Sequence, residues 1–253
     1  MAATGSSIQL QFFKPEDNGG AEISSFELYR NDGNDLTEPN LKVMSYDTNL
    51  LTHVLTTADD GIEEGKIYKF VFRAINEVGE SFDSNIAKYA ICDVPPAPQQ
   101  PVIMLDHTSE TQVAVNWDKL ETTQLPGSFI TGYLLEMKDT SDFFGTFETV
   151  FDGSDLYPDW RSTIVNNTVP GNSYIFRVKA KYQNGFTSYS DESLPVWSCL
   201  PPRNLDKIQL VSVSSTQLTL KWTQPQFTSS CLLQGFRLFM NDGAGGNSFS
   251  EID

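Results

Sequence analysis

The chain holds two histidines and three cysteines among 253 residues, and their placement limits the chemistry open to it. His53 stands in the strand-like run Leu51-Thr-His-Val-Leu55, and His107 in a polar turn after Leu105. Neither has cysteines or carboxylates around it at metal-ligand spacing, so both read as ordinary surface or edge residues. Asp59-Asp60-Gly61 and Asn31-Asp32-Gly33 carry acidic oxygens, yet neither supplies the spaced set that a calcium loop needs. The sequence holds no glycine-rich phosphate loop, nucleophile elbow or zinc motif. No catalytic, cofactor-binding or metal-ligating residue emerges, and the chain reads as a non-enzyme with no cofactor. One N-glycosylation sequon, Asn166-Asn-Thr168, falls in a polar turn before Pro170-Gly171, where a glycan would stand on the surface.

The net charge is −16 and the pI about 4.4. Such a surface repels phosphate backbones and anionic lipid headgroups, which argues against nucleic-acid and membrane-surface partners. No apolar run approaches the roughly 18 residues that cross a bilayer. The opening Met-Ala-Ala-Thr-Gly-Ser-Ser has neither a basic nor an apolar stretch of the signal-peptide kind.

The elements that would position these residues are short strands, and they repeat. Phe12, Trp117 and Trp222 recur at an interval of 105 residues and close the same pattern: Ile8-Gln-Leu10-Gln-Phe12, Val113-Ala-Val115-Asn-Trp117 and Leu218-Thr-Leu220-Lys-Trp222. Apolar residues at every second position mark strands with one buried face. A second block follows each aromatic: Ile23-Ser-Ser-Phe26-Glu-Leu28, Ile130-Thr-Gly-Tyr133-Leu-Leu135 and Leu233-Gln-Gly-Phe236-Arg-Leu238. Asn31-Asp32-Gly33 and Asn241-Asp242-Gly243 end two of these strands and predict type I′ hairpin turns, which need positive φ at both central residues. A third block occurs twice, Tyr68-Lys-Phe70-Val-Phe72-Arg-Ala74 and Tyr174-Ile-Phe176-Arg-Val178-Lys-Ala180, and each copy runs on to a proline linker, Pro95-Pro96 or Pro201-Pro202. Proline stiffens such linkers, so the hinges are restrained. The chain is all-β.

In this order the blocks resemble tandem fibronectin type III domains. That family carries a large aromatic on its second strand, the place of Phe12, Trp117 and Trp222. It also carries a buried tyrosine near the start of its sixth strand, the place of Tyr68 and Tyr174, whose hydroxyl bonds nearby backbone. The resemblance implies immunoglobulin-like β-sandwiches over residues 1–94, 95–200 and 201–253. The first lacks most of its first strand. The third is an N-terminal half, truncated or completed by another chain, whose Trp222, Leu218 and Leu238 lack an opposing sheet. The resemblance also puts the entry of a sandwich and its second loop at one end, where Cys199 and Cys231 could pair; the alternative is three reduced thiols, Cys92 included.

Such arrays imply structural, spacer or adhesive work, at a cell surface or in an extracellular filament. Their partners are other proteins, above all neighbouring repeats or further copies joined head to tail. A ligand-binding receptor ectodomain and an intracellular cytoskeletal or ciliary scaffold are the alternatives. No Trp-Ser-x-Trp-Ser box of the cytokine-receptor kind occurs. Trp117→Ala is expected to unfold the middle domain, and Asp139→Ala to be nearly silent.

Overall fold

The computed structural model describes residues 2–200, 202, 205–225, 231, 233–243 and 248–252. Pro201 of the second linker and Ala244-Gly245-Gly246 lie outside the described residues. Strands make up nearly all of the regular structure; one 3₁₀ turn, Leu105–His107, is the helical exception among the described residues.

The first sandwich uses β1 (Ala2–Ala3), β2 (Ser7–Gln11), β3 (Ser25–Arg30), β4 (Leu41–Lys42), β5 (Thr52–Thr56), β6 (Ile67–Ile75) and β7 (Ala87–Ala90). Its sheets are ordered β1-β2-β5 and β4-β3-β6-β7, all antiparallel. The second uses β8 (Val102–Ile103), β9 (Gln112–Asn116), β10 (Ile130–Asp139), β11 (Glu148–Asp152), β12 (Ser162–Asn166), β13 (Ser173–Tyr182), β14 (Gly185–Phe186) and β15 (Val196–Trp197). Its sheets are β12-β9-β8 and β11-β10-β13-β14, with β15 also on β13. Alternation places Ile8, Leu10, Phe26 and Leu28 in one core and Val113, Val115, Tyr133 and Leu135 in the other. That burial is the main stabilising term.

The core aromatics differ in depth. Trp117 is buried against Tyr133 and Phe151, whereas Phe12 is half-buried and stacks on Phe72 at 4.4 Å. Tyr68 and Tyr174 are buried, and each hydroxyl accepts a bond from the backbone N–H five residues upstream: Glu63 at 3.0 Å and Val169 at 2.8 Å. The two corners are the same device.

The third repeat contributes two hairpins, β16 (Gln209–Val213) with β17 (Leu218–Lys221), and β18 (Leu238–Asn241) with β19 (Phe249–Ile252). Trp222 is 40% exposed there and meets the ring of Phe236 edge-on at 6.0 Å. The last strand was not readable in advance, because Ser-Phe-Ser-Glu-Ile carries little apolar alternation.

Two expectations need correction. Neither Asn-Asp-Gly forms a type I′ turn, since only Gly33 and Gly243 have positive φ, +88° and +75°. Instead the asparagine side chain holds the turn: Asn31 Oδ1 accepts from Gly33 N and Lys69 N, and Asn241 Oδ1 from Gly243 N. Asp139 is not idle either, because its carboxylate accepts from Ser141 N and from Asn172 Nδ2 at 2.7 Å. Its removal should cost on the order of 1 kcal/mol.

Trp117→Ala should destabilise the second sandwich by about 3–5 kcal/mol through the cavity it leaves. Tyr174→Phe, which leaves the Val169 N–H without its acceptor, should cost only about 1–2 kcal/mol. Urea unfolding checks both, and equal small effects would contradict the burial described for Trp117.

Candidate interaction site at the junction of the sandwiches

The first sandwich ends in Ala90, Ile91 and Cys92, which are fully buried. Buried backbone groups must find partners, and for Ala90 the partner is a side chain of the next sandwich. Asn184, in the turn between β13 and β14, accepts from Ala90 N at 2.7 Å and donates to Ala90 O at 2.8 Å. One amide thus exchanges both bonds with a residue, as a strand neighbour would. Its Nδ2 also lies 3.4 Å from Cys92 Sγ.

Other contacts close the joint. Ser128 Oγ donates to Asp93 O at 2.7 Å. Ala90, Cys92 and Tyr182 form a small apolar cluster with Ile67 and Ile130 around them. Gly65 and Gly127 meet there with φ of +85° and +76°, and a Cβ on Gly127 would lie 2.9 Å from Gly65 Cα. Only glycine tolerates both that conformation and that approach. Burial pushes the Cys92 thiol up, against a smaller opposite pull from the Ser128 hydroxyl.

The same two positions recur at the next joint. Cys199 follows the second sandwich as Cys92 follows the first, and Cys231 stands in the loop position of Ser128. The structure sets Cys199 and Cys231 side by side, with Cα atoms 6.1 Å apart, a span disulfides commonly bridge.

The outer face of the second sandwich carries a ladder. The hydroxyls of Thr187, Ser190 and Ser193 accept from the N–H groups of Ala180, Val178 and Phe176 at 3.1, 3.0 and 2.9 Å. Each hydroxyl also donates to the next residue's carbonyl. Every third residue thus completes every second residue of β13, where no regular strand continues. Arg177 lies between the rings of Phe147 and Tyr189, 3.8 and 3.9 Å from their centroids, and Lys179 between Tyr189 and Phe186, 4.5 Å from each. Burial alone would raise the Glu136 carboxyl, but hydrogen bonds from Tyr189 and Arg177 together hold it below the usual range.

The first sandwich repeats the hydroxyls at Ser81 and Ser84, on Ala74 N and Phe72 N. It replaces the rings with carboxylates: Glu80 and Asp83 bind Arg73 at 3.2 and 2.5 Å. The readable signal was Phe186-Thr-Ser-Tyr189-Ser190, with aromatic rings three residues apart and a hydroxyl residue after each.

The sequon residue Asn166 ends β12 in an exposed position, whereas Thr168 is buried with its hydroxyl 2.6 Å from Ser198 Oγ. His53 is half-buried on the edge strand β5; its ring meets Tyr46 edge-on, its Nε2 is 3.1 Å from Ser45 Oγ, and burial lowers its pKa despite the opposing charge of Asp60. His107 is exposed, at the end of the 3₁₀ turn Leu105–His107.

Residues 96–196 match the fibronectin type III domain. Those residues are a fibronectin type III domain. The chain is 26% identical to fibronectin type-III domain-containing protein 3a of Gallus gallus over 86% of its length, and to the cell adhesion molecule-related/down-regulated by oncogenes protein of Mus musculus over 90%. It is 27% identical to the striated-muscle M-protein of Gallus gallus over 69%. The chain spans 17%, 20% and 12% of these relatives, so it corresponds to a short stretch of each. Their names include a cell adhesion molecule-related protein and a protein of striated muscle. No helix among the described residues is long and apolar enough to cross a membrane.

Ser128→Cys should place a thiol against Cys92 and oxidise onto it, reproducing the Cys199–Cys231 arrangement at the first joint. Non-reducing peptide mapping of the variant reads this directly; two free thiols at 92 and 128 under an oxidising glutathione buffer would contradict the equivalence of the joints.

Proposed function

We propose that this chain is a non-enzymatic segment of an adhesive or structural fibronectin type III array outside the cytoplasm, serving as rod, spacer and interaction surface. The observation that carries it is the two-way bond between Asn184 and Ala90, which ties one sandwich to the next through backbone groups. A joint made this way transmits orientation, as a rod requires, where a flexible linker would let domains move independently. Cys199 and Cys231 staple the second joint, and closing that loop stabilises it by roughly 3 kcal/mol. Asn166, exposed at a strand end, carries a glycan. Head-to-tail contacts between neighbouring repeats propagate the array.

A second reading has one observation in its favour: a relative is the M-protein of striated muscle. On that reading the chain is an intracellular scaffold, Cys199 and Cys231 are thiols, and Asn166 is bare.

Non-reducing peptide mapping of the native protein separates the two. The surface or filament reading expects a Cys199–Cys231 crosslink and a glycan on the Asn166 peptide. Free thiols with an unmodified Asn166 would overturn it in favour of the scaffold.

A further inference from the structure

We infer that Asn184 is a deamidation site through which the joint between the first two sandwiches is released irreversibly. The inference takes the rigid joint proposed above as its premise. The first observation is the dipeptide Asn184-Gly185 itself. The sequence holds two Asn-Gly pairs, Asn18-Gly19 and Asn184-Gly185, and the second supplies the amide that holds Ala90. Glycine has no Cβ to shield its nitrogen, so that nitrogen can reach the side-chain carbon of a preceding asparagine. A Cβ on Gly185 would meet nothing within 4 Å, and Asn184 and Gly185 are both half-buried, within reach of water.

The chemistry needs only water. The backbone nitrogen of Gly185 attacks Cγ of Asn184. An N–Cγ bond forms, the Cγ–Nδ2 bond breaks, and Nδ2 leaves as ammonia with the Gly185 proton. Water then opens the cyclic imide to aspartate or to isoaspartate. While the joint is closed, bonds of 2.7 and 2.8 Å to Ala90 hold the amide and keep Cγ from turning toward Gly185. Each local opening of the joint frees it.

The second observation is what the product would meet. A carboxylate accepts and cannot donate, so Ala90 O loses its donor and faces an anionic oxygen. The new charge also enters acidic surroundings. Asn184 Nδ2 lies 3.4 Å from Cys92 Sγ, a thiol pushed up by burial and then by the charges of Asp93 and Glu64. In isoaspartate the backbone gains a methylene and the carboxylate hangs from Cα, which breaks the match to Ala90. Either product therefore opposes reclosure. The equivalent place in the first sandwich is Val78 before Gly79, which carries no amide. Asn18 is exposed, and its bonds, from Gly20 N and Asn76 Nδ2, lie within the first sandwich.

Ageing residues 1–253 in warm, mildly alkaline buffer tests this, with peptide mapping and anion-exchange separation of the more acidic product. Asn184 should react at least about tenfold more slowly than Asn18. Ser128→Ala, which removes the bond to Asp93 O, should speed Asn184 several-fold and leave Asn18 unchanged. In the fraction modified at Asn184, the Ala90 amide should exchange at least about tenfold faster than before, while Val113 and Phe176 stay protected. Asn184→Asp, which installs one product directly, should show the same pattern. Full protection of Ala90 in the modified fraction would overturn the inference. So would an Asn184 that stays intact in the Ser128→Ala chain after Asn18 has reacted completely. Rapid Ala90 exchange in the unmodified chain would overturn the joint itself, and its release with it.

Discussion

A strand that ends at a domain boundary leaves backbone donors and acceptors which, once buried, cannot return to water. Ala90 is in that position: its N–H and carbonyl are enclosed, and the next residues run into a proline linker. Orphaning such groups costs about 1–3 kcal/mol each. Asn184 answers both at once, so the second sandwich becomes part of the first one's final strand. The glycine contact, the buried Cys92 and the Ser128 bond all follow from the close approach which that amide imposes.

A similar problem appears along β13 and β6, whose outer edges face segments that are not regular strands. Hydroxyls at every third residue solve it in both sandwiches. The side chains that stack outside the hydroxyls then diverge, to rings around Arg177 and Lys179 in one copy and to carboxylates on Arg73 in the other. The backbone solution is shared while the surface chemistry is free to vary. Two sandwiches of one fold therefore offer partners quite different faces.

Much of the fold was legible because period-two alternation is a property of local sequence. Ile8, Leu10 and Phe12, or Val113, Val115 and Trp117, announce a strand and its inner face without any knowledge of neighbours. The tyrosine corners were legible through the family resemblance, which places a buried tyrosine at Tyr68 and Tyr174. Asn184 was not, because its partner Ala90 is 94 residues away and Gln-Asn-Gly looks like any turn. The hydroxyl ladder escaped because a spacing of three fits neither the strand's period of two nor the α-helix's 3.6. The Asn-Asp-Gly turns misled: the buried amide of Asn31 recruits Lys69 from another strand, and that tertiary contact overrides the two-residue hairpin preference.

Joined through Asn184, the first two sandwiches are expected to move as one body. Residual dipolar couplings measured on residues 1–253 in a weakly aligning medium test it most directly, because each sandwich reports its own alignment tensor. A fixed joint predicts tensors of equal magnitude and common orientation, with the two diverging when Asn184 is replaced by alanine. Tensors of different magnitude in the unaltered chain would contradict the claim and show two domains tumbling independently on a proline tether.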